Sequence, residues 1–468
     1  WDMYFDQAAN WCHGMAVDRN GDAYLVGNYD MFISVIKVRG ATGTVMWSKV
    51  IQDMVYNYTF DAASIAVDSE GNPVIGGFFN DGDFLEFATI KLASKDGTAK
   101  WSKRTLMDYN DSLGFGVAVD KDDNVIVVGN IYGEHPDWLS VAKYAKADGS
   151  LIWAKDVYEP QNYSGGMDVG GIACDKDGNI YVSSTWYQED VVYSTTVLTK
   201  ISKDGVLLWG KTTGFQTPYC AAGATTVDTD GNVYFANHYF QAESTFNQSY
   251  GNYDPNYHYQ RDVLLVVKCD TSGKVIWQRF LTHRQDGLYE NFGNIWMSVS
   301  PGGNNMAVND EYLLLGGMSE LKYSYSDNNE YGYKGFAMQV PKDAQAFSYD
   351  GWDWVDSQLK MEYISTPVVE PYDVVVQDLP LDTEEWSALV YDNSDQYSRS
   401  ALEDMPAQTL VIDGNGINMD RPTVGRVVTL GNFDGSEGGN TLGNTWWDGL
   451  SRDGAGNTFL FGGDNWND

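Results

Sequence analysis

Short runs of β-forming residues, divided by turns rich in Gly, Asp and Asn, follow one another along most of this chain. The runs recur as a group in a fixed order: a Gly-Φ-Ala-Val-Asp strand, a turn ending in Gly-Asn, a Tyr/Val strand, a strand ending in Lys, and a turn before Trp. Apolar runs of this length between turn residues indicate β-strands rather than helices. The pattern therefore predicts repeats of four strands each.

The repeat is regular in length. Its Asp residues lie 50, 52, 55 and 53 residues apart, and its Trp residues lie 54, 52, 56 and 68 residues apart. They are Asp18, Asp68, Asp120, Asp175 and Asp228, and Trp47, Trp101, Trp153, Trp209 and Trp277. Four short strands repeated at a period of about fifty residues are typical of a propeller blade. We therefore predict an all-β fold, a β-propeller of about seven four-stranded blades.

The two ends of the chain predict how the ring closes. A sixth copy runs from Trp296-Met-Ser-Val-Ser300 and lacks both the Asp and the Trp, while 446–463 is similar to 11–27. We predict that 1–349 forms blades one to six together with an N-terminal strand that closes blade seven. In the same prediction 350–440 is a small β-rich insert, and 441–468 begins blade seven. The chain opens on Trp1 rather than Met, which we expect of a processed chain or a fragment.

The repeated residues have structural explanations. Turns such as Asp68 to Asn72 place Gly and Asn where a tight hairpin needs positive φ. The same turns carry oxygen ligands that suit Ca²⁺, although they lack the twelfth-position carboxylate of an EF-hand. We expect each Trp to pack between neighbouring blades. The five Asp and five Trp residues are therefore interpreted as structural, and no cofactor is predicted, with Ca²⁺ as the alternative.

Composition excludes several classes of function. There are 30 Lys and Arg residues against 65 Asp and Glu, which gives a net charge of −35. Such a surface repels nucleic acid and anionic membranes, and no apolar run approaches the ~20 residues of a membrane-spanning helix. The four cysteines lie far apart, without the spacing of a zinc or redox site: Cys12, Cys174, Cys220 and Cys269.

Catalytic motifs are absent from the sequence. The five histidines form no HxxxH pair, and there is neither a GxSxG elbow nor a phosphate-binding loop. His238 and His258 flank a Tyr-rich segment and are placed to share a metal, but surface histidines usually have no such role. We therefore predict neither a metal site nor an enzyme.

Two Tyr-rich segments interrupt the repeat between the second and third strands of their blades. Loops at equivalent places in successive blades project from one face, and Tyr provides large amphipathic contacts at small entropic cost. We predict a binding patch there, with long self-packed loops as the alternative. Its candidate residues are Tyr239, Tyr250, Tyr253, Tyr257, Tyr259, Tyr323, Tyr325, Tyr331 and Tyr333.

Residues 350–440 leave the repeat altogether. Strand-like runs YDVVVQDL, EWSALVYD, QTLVID and GRVVTLG are separated there by polar, acidic turns. One interpretation, which we favour, is a small β-domain that docks another subunit; the other is an elaborated loop whose strands lie on the propeller rim.

The turns before Trp carry a resemblance to known families. ATGTVMW, KDGTAKW and ADGSLIW resemble the tryptophan-docking motif of pyrroloquinoline-quinone-type propellers, and the Gly-Φ-Ala-Val-Asp half is similar to NHL-type repeats. The quinoprotein resemblance implies a cofactor over the channel, often against a vicinal Cys pair, with Ca²⁺ ligands and a catalytic Asp. Here no cysteines are adjacent, and strands containing Lys91, Lys143 and Lys200 replace the usual Ala-x-Asp. Ser202 to Trp209 resembles a sialidase Asp-box turn, but no arginine triad can be picked out.

The acidic, Gly- and Tyr-rich repeats with a β-rich insert are also similar in style to virion structural proteins of tailed phages, notably those of marine cyanobacteria. This resemblance implies a propeller in a tail, fibre or baseplate. We therefore expect a non-enzymatic structural or binding propeller of a virion or a cell surface. Its expected partners are other protein subunits of an assembly, or host-surface glycans. The alternatives are a quinoprotein-like or glycan-acting propeller enzyme and a calcium-stabilised extracellular lectin.

Overall fold

The computed structural model describes 26 segments of the chain, all of them strands and the short turns between strands. No helix occurs in these segments. They are residues 4–5, 11–29, 32–53, 59–80, 85–106, 111–132, 138–158, 167–187, 194–212, 220–242, 260–285, 295–296, 305–309, 311–322, 331–342, 347–352, 357–363, 370–371, 375–378, 382–385, 388–392, 399–400, 408–412, 425–429, 444–452 and 458–465.

After the short strand β1 (Tyr4–Phe5), blades 1 to 5 are antiparallel sheets in which each strand pairs with the next along the chain. Blade 1 consists of β2 (Trp11–Val17), β3 (Ala23–Tyr29), β4 (Phe32–Arg39) and β5 (Thr44–Asp53). Blade 2 consists of β6 (Thr59–Val67), β7 (Pro73–Asn80), β8 (Leu85–Leu92) and β9 (Ala99–Leu106). Blade 3 consists of β10 (Asp111–Val119), β11 (Val125–Tyr132), β12 (Trp138–Tyr144) and β13 (Leu151–Tyr158).

Blades 4 and 5 repeat this order. Blade 4 consists of β14 (Met167–Cys174), β15 (Ile180–Tyr187), β16 (Ser194–Ile201) and β17 (Leu207–Thr212). Blade 5 consists of β18 (Cys220–Val227), β19 (Val233–Ala242), β20 (Gln260–Cys269) and β21 (Val275–Gln285).

Blade 6 has an inner strand in two pieces, β22 (Ile295–Trp296) and β23 (Met306–Val308), both paired with β24 (Tyr312–Lys322). β24 pairs in turn with β25 (Tyr331–Pro341). The sequence pattern put the end of the inner strand at Ser300, but the structure puts it at Val308. Asn309 follows in the place of the repeated Asp, and its side-chain oxygen accepts the Glu311 N–H at 3.0 Å. The Asn in place of Asp and the shortened turn explain why the end of this strand was placed wrongly.

The inner strands of seven sheets form a closed ring of contacts. β2 contacts β6, and the contacts continue through β10, β14, β18 and β23 to β35 (Asn444–Arg452), which contacts β2 again. β35 pairs with β36 (Thr458–Asn465). Seven antiparallel sheets that meet neighbour to neighbour around a ring make a seven-bladed β-propeller. The predicted fold class is thereby confirmed.

Apolar layers between adjacent blades supply the core. One layer joins Ile33 and Ile51 of blade 1 to Ile75 and Ile90 of blade 2, and all four side chains are at most 2% exposed. Similar layers join blades 2 and 3, blades 3 and 4, and blades 4 and 5. Blades 2, 3 and 4 therefore bury both faces against their neighbours, so the repeat itself generates this part of the core.

The segment that follows blade 6 runs backwards around the rim. After β26 (Phe347–Trp352), the strands β27 (Ser357–Tyr363), β28 (Glu370–Pro371), β29 (Val375–Asp378), β30 (Asp382–Glu385) and β31 (Ala388–Asp392) pair antiparallel with the outer strands of blades 5, 4, 3, 2 and 1, in that order. We call β27 to β31 the belt. These strands match the interpretation of 350–440 as an elaborated loop whose strands lie on the propeller rim.

The chain then returns to the last blades. β32 (Arg399–Ser400) pairs with β1, and β34 (Gly425–Thr429) pairs with β25 as the fourth strand of blade 6. β33 (Gln408–Ile412) adds a fifth strand outside β34. Pairing of β1 with blade seven is not among the described strand pairs, so the predicted closure by the N-terminal strand stays a prediction.

The belt advances by one blade about every seven residues. Each blade Trp is followed two positions later by Lys or Arg, and this basic residue pairs with one belt residue: Arg279 with Tyr363, Lys211 with Pro371, Lys155 with Asp378, Lys103 with Glu385 and Lys49 with Asp392. In three of the five blades the belt residue is therefore an acid opposite a lysine.

Candidate functional site

The repeated Asp ends the inner strand of each blade and organises the turn that follows. In blade 3, Asp120 Oδ1 accepts the N–H groups of Asp122 and Asn124, each at 2.9 Å. Its other oxygen lies 2.8 Å from Nζ of Lys143 on the third strand. The two side chains are only 1% and 6% exposed, so this is a buried ion pair inside one blade.

The same pairing recurs in the other blades with one exchange of partner. The Nζ to Oδ2 distances are 3.7 Å for Lys37 and Asp18, 2.8 Å for Lys91 and Asp68, and 3.7 Å for Lys200 and Asp175. In blade 5, Asp228 is paired at 2.9 Å with Lys342, which comes from blade 6. Lys268, at the usual lysine position, lies over the Tyr234 ring at 5.2 Å.

The buried Lys and the Trp of one blade meet the same carbonyl of the next blade. Lys143 Nζ and Trp153 Nε1 donate to the Lys203 carbonyl of blade 4, at 3.0 and 3.1 Å. The five Trp residues donate at 3.0–3.2 Å to the carbonyls of Ser94, Lys146, Lys203, Thr271 and Lys342, in chain order. We call the Asp and Trp of one blade, the Lys that pairs with that Asp and the acceptor carbonyl of the next blade a clasp; in the fifth clasp the Lys is Lys342 of the next blade. Five clasps join blades 1 to 6.

A tyrosine completes the clasp in three blades. The hydroxyls of Tyr24, Tyr181 and Tyr234 donate to the clasp Asp at 3.1–3.3 Å, and their rings lie edge-on to the Trp at 5.9–6.0 Å. Blades 2 and 3 have Val74 and Ile126 at this position. There the Lys and Asp approach to 2.8 Å, against 3.7 Å in blades 1 and 4.

In blades 2, 3 and 5 the hydrogen bonds of the clasp lower the pKa of its acid. Burial alone would raise the pKa of Asp120, but the hydrogen bonds from Lys143 and from the Asn124 backbone outweigh it and hold that pKa below its usual range. The pKa values of Asp68 and Asp228 are lowered by the same balance. These carboxylates are therefore ionised at neutral pH, and each is occupied by protein donors.

Chemical groups free for catalysis are scarce in the described residues. They contain no cluster of three His, Cys, Asp or Glu side chains suited to a metal ion. Cys174, Cys220 and Cys269 form no disulfide, and burial, the largest cause, raises the pKa of Cys269 to about 12, so it is not a thiolate nucleophile at neutral pH. None of the described segments is a helix with the length and hydropathy to span a membrane.

The predicted tyrosine patch lies largely outside the described residues. Tyr239 is on β19 opposite Cys220 and Val263, while Tyr331 and Tyr333 are on β25 opposite Lys322 and Glu320. The other candidates fall outside the described segments: Tyr250, Tyr253, Tyr257, Tyr259, Tyr323 and Tyr325. His258 lies outside them as well, so the pairing of His238 with His258 and the patch stay predictions.

Two features of the rim escaped the sequence reasoning. The lysines that depart from the Ala-x-Asp pattern of the docking motif are the cationic members of the clasps. The residue directly before the clasp Trp is apolar and exposed in four blades: Met46 at 39%, and Ile152, Leu208 and Ile276 at 48% each. The sequence carried a signal for the second feature, because an apolar residue stands directly before the repeated Trp in four of the five copies.

Comparison with known proteins bears little on function. No family model matches the chain, and no curated protein matches it. The chain is similar to the crystal structure of polysaccharide lyase Uly1, at 8% identity and a TM-score of 0.39 over 77% of this chain and 91% of that one. It is also similar to the WD40 domain of SCAP from fission yeast, at 10% identity and a TM-score of 0.34 over 92% and 98%. At TM-scores this low neither likeness carries an argument, and the propeller rests on the sheet topology.

Proposed function

We propose that this chain is a non-enzymatic structural or binding propeller that works as one component of a larger assembly, a virion tail, fibre or baseplate or a cell-surface complex. The observation that carries the proposal is that the repeated polar residues satisfy one another. In blade 3 the carboxylate of Asp120 pairs with Lys143, and Lys143 and Trp153 donate to the next blade, so all three groups already have protein partners. Function therefore belongs to surfaces outside the repeat.

The belt supports the same proposal. It adds a strand to the outer edge of each of blades 1 to 5, and an edge strand that is covered along part of its length is less open to uncontrolled pairing. A ring tied by buried clasps and by a circumferential strand is suited to bearing load and presenting loops at fixed positions. The net charge of −35 disfavours nucleic acid as the partner, which leaves proteins and glycans.

Isolation of the protein from its native source tests the proposal. We expect it to copurify with at least one other polypeptide at a fixed stoichiometry, measured by native mass spectrometry. A free monomer without a stoichiometric partner contradicts the proposal. A glycan array on the isolated chain then asks whether glycans are a second class of ligand.

The enzyme and lectin alternatives have their own measurements. A quinoprotein shows the absorbance of bound quinone, and a glycan-acting enzyme turns over at least one substrate of a glycoside and polysaccharide panel. A calcium-stabilised lectin melts at a lower temperature after chelation. The proposal expects no quinone absorbance, no turnover and no effect of chelator, because the clasp carboxylates already have protein donors.

A further inference from the structure

The tryptophans of the clasps differ in exposure. Trp47, Trp101 and Trp277 are 4–7% exposed, whereas Trp153 and Trp209 are partly exposed. The indole N–H groups of all five donate to a carbonyl of the next blade. The exposed aromatic surface of Trp153 and Trp209 is therefore not required for this hydrogen bond.

The turn of the next blade explains the difference for four of these tryptophans. It joins the third and fourth strands of that blade and contains a glycine with positive φ. In blade 3 the N–H of Gly149 donates to the carbonyl of Ala145, four residues back, and blade 2 has a turn of the same length. In blade 4 the N–H of Gly205 donates to the carbonyl of Ser202, only three residues back, and the turn of blade 5 matches it. The turns of blades 4 and 5 are therefore one residue shorter.

The shorter turn lies farther from the ring that it faces. An ideal Cβ on Gly149 would lie 2.7 Å from the Trp101 ring, whereas one on Gly205 would lie 3.3 Å from the Trp153 ring. The short turn of blade 5 keeps the same 3.3 Å from the Trp209 ring. The two tryptophans that face a short turn are thus the two that are partly exposed.

Exposed apolar side chains stand beside both of these rings. Ile152 precedes Trp153 and Leu208 precedes Trp209, and each is 48% exposed, while Val206 is 60% exposed. The pairing with the third strand skips Ile152 and Leu208, so both are β-bulge residues. We call these five residues the indole patch.

Among the described residues of blades 1 to 5, only blades 3 and 4 combine a partly exposed Trp with an exposed apolar neighbour. Blade 1 exposes Met46 and blade 5 exposes Ile276, but their tryptophans are covered, and blade 2 has Lys100 at the bulge. Trp is a common anchor of protein–protein interfaces, and adjacent exposed apolar side chains mark contact surfaces. The indole patch is therefore a candidate contact surface on two neighbouring blades.

The charges around the patch indicate the kind of partner. The whole chain has 30 basic and 65 acidic residues. Lysines instead outnumber acids in the two short turns and at the strand positions that lie against their glycines. These residues are Lys155, Lys203, Lys211 and Lys274, with Asp204, Asp270 and, opposite Lys155, Asp378 of the belt. A partner that presents carboxylates beside apolar side chains is complementary to this part of the rim.

We propose that the indole patch is a docking surface for another protein of the assembly. The partner packs apolar side chains against Trp153 and Trp209 and places carboxylates beside the neighbouring lysines. Because the two rings occupy equivalent positions on neighbouring blades, one partner contacts both. The proposal rests on the proposed function, since it assigns a surface and a partner chemistry to a component of an assembly.

Hydroxyl-radical footprinting of the isolated chain and of the native assembly tests the location. In the isolated chain Trp153 and Trp209 are expected to oxidise faster than Trp47 and Trp101, and the reverse order overturns the proposal. In the assembly their oxidation rates are expected to fall at least about tenfold, because interface anchors lose contact with water, while Met46 keeps its rate. A stoichiometric assembly in which both rings keep the rates of the isolated chain overturns the indole-patch proposal alone. Absence of any stoichiometric partner overturns the proposed function together with it.

A double variant measures the contribution of the patch. Ile152→Lys with Leu208→Lys introduces the residue that blade 2 has as Lys100, so the melting temperature is expected to stay at the wild-type value. Retention of the partner polypeptide purified from the native assembly is expected to fall at least about tenfold. Met46→Lys, at the same position of blade 1, is the matched control and is expected to retain the partner fully. Unchanged retention by the double variant, or an equal loss with Met46→Lys, overturns the proposal.

A carbodiimide, which joins a lysine amine directly to a carboxyl group, tests the chemistry of the partner. Lys203 or Lys274 is expected to crosslink to Asp or Glu of the partner, whereas Lys95, exposed in the longer turn of blade 2, is not. Crosslinks from Lys95 in place of these two, or none at all, overturn the assignment of an acidic partner. Protection of the two rings that disappears on glycosidase digestion assigns the patch to a glycan and overturns the proposal as well.

Discussion

Removal of the lysine from one clasp is expected to lower the free energy of unfolding by several kcal/mol. Lys143→Met keeps an unbranched apolar stem but leaves the Asp120 carboxylate, 1% exposed, without the ammonium group 2.8 Å away. Breaking a buried ion pair by removing one partner costs about 3–5 kcal/mol. The Lys203 carbonyl keeps its second donor, the Trp153 indole, so we expect the lower end of this range, about 3 kcal/mol.

The same blade offers a matched control. Lys121 and Asp122 form a pair at 3.2 Å, but their side chains are 43% and 59% exposed. Exposed pairs contribute about 1 kcal/mol or less, so Lys121→Met is expected to have a small effect. The assay is urea unfolding followed by both tryptophan fluorescence and circular dichroism, because coincident curves justify a single free energy of unfolding.

Two results test whether the clasp stabilises the fold. If the free energies of unfolding of Lys143→Met and Lys121→Met differ by less than about 0.5 kcal/mol, the clasp is not a stabilising unit and the reasoning is refuted. Adding Asp120→Asn to Lys143→Met is expected to restore part of the loss, because the amide oxygen still accepts the turn N–H groups without a buried charge. Failure of the second change to restore anything would assign the loss to packing.

Three further predictions concern the same clasps. Trp101→Phe is expected to cost about 1 kcal/mol, from the lost hydrogen bond to Lys146, and Trp101→Ala about 3–5 kcal/mol, measured by urea unfolding; equal costs contradict the docking role of the indole. Gly149→Ala is expected to be at least about 1 kcal/mol worse than Gly178→Ala, because both glycines have positive φ but only the first would place a Cβ 2.7 Å from the Trp101 ring; the reverse order counts against the packing. Stability is expected to fall with pH below about 3.9, the unfolded pKa, because carboxylates with depressed folded pKa values stabilise above it and lose that stabilisation as they protonate. Urea midpoints at pH 5 and pH 3 measure this, and a flat profile speaks against it; the carboxylates concerned are Asp68, Asp120 and Asp228.

The periodicity of the sequence was sufficient to predict the propeller. The Asp and Trp spacings determine where each strand ends, and those local constraints repeat at nearly constant length. Blade 6 shows where this periodicity fails. In blade 6, Asn309 replaces the Asp and the turn is shorter than in blade 1, so the usual marks of the strand end were missing and the end was placed at Ser300 instead of Val308.

The partners of the repeated residues were harder to predict. Lys143 meets a carbonyl 60 residues away, and Tyr158 of blade 3 donates to Gln377 of the belt 219 residues away. No local pattern encodes such contacts. The runs in 350–440 indicated strands correctly, but a strand that completes another sheet and a strand of an independent domain have the same hydrophobic alternation. The choice between them depends on long-range pairing.

The belt is the feature that most directly distinguishes this account from a propeller with a separate β-domain. Hydrogen exchange followed by mass spectrometry measures it in the intact chain, since amides in paired strands exchange slowly. We predict that the backbone amides of 375–378, 382–385 and 388–392 are protected together with those of the outer strands that they pair with. Both sets should lose protection together as urea is added. Exchange of these belt residues at the rate of an unstructured chain, while the blades stay protected, would contradict it.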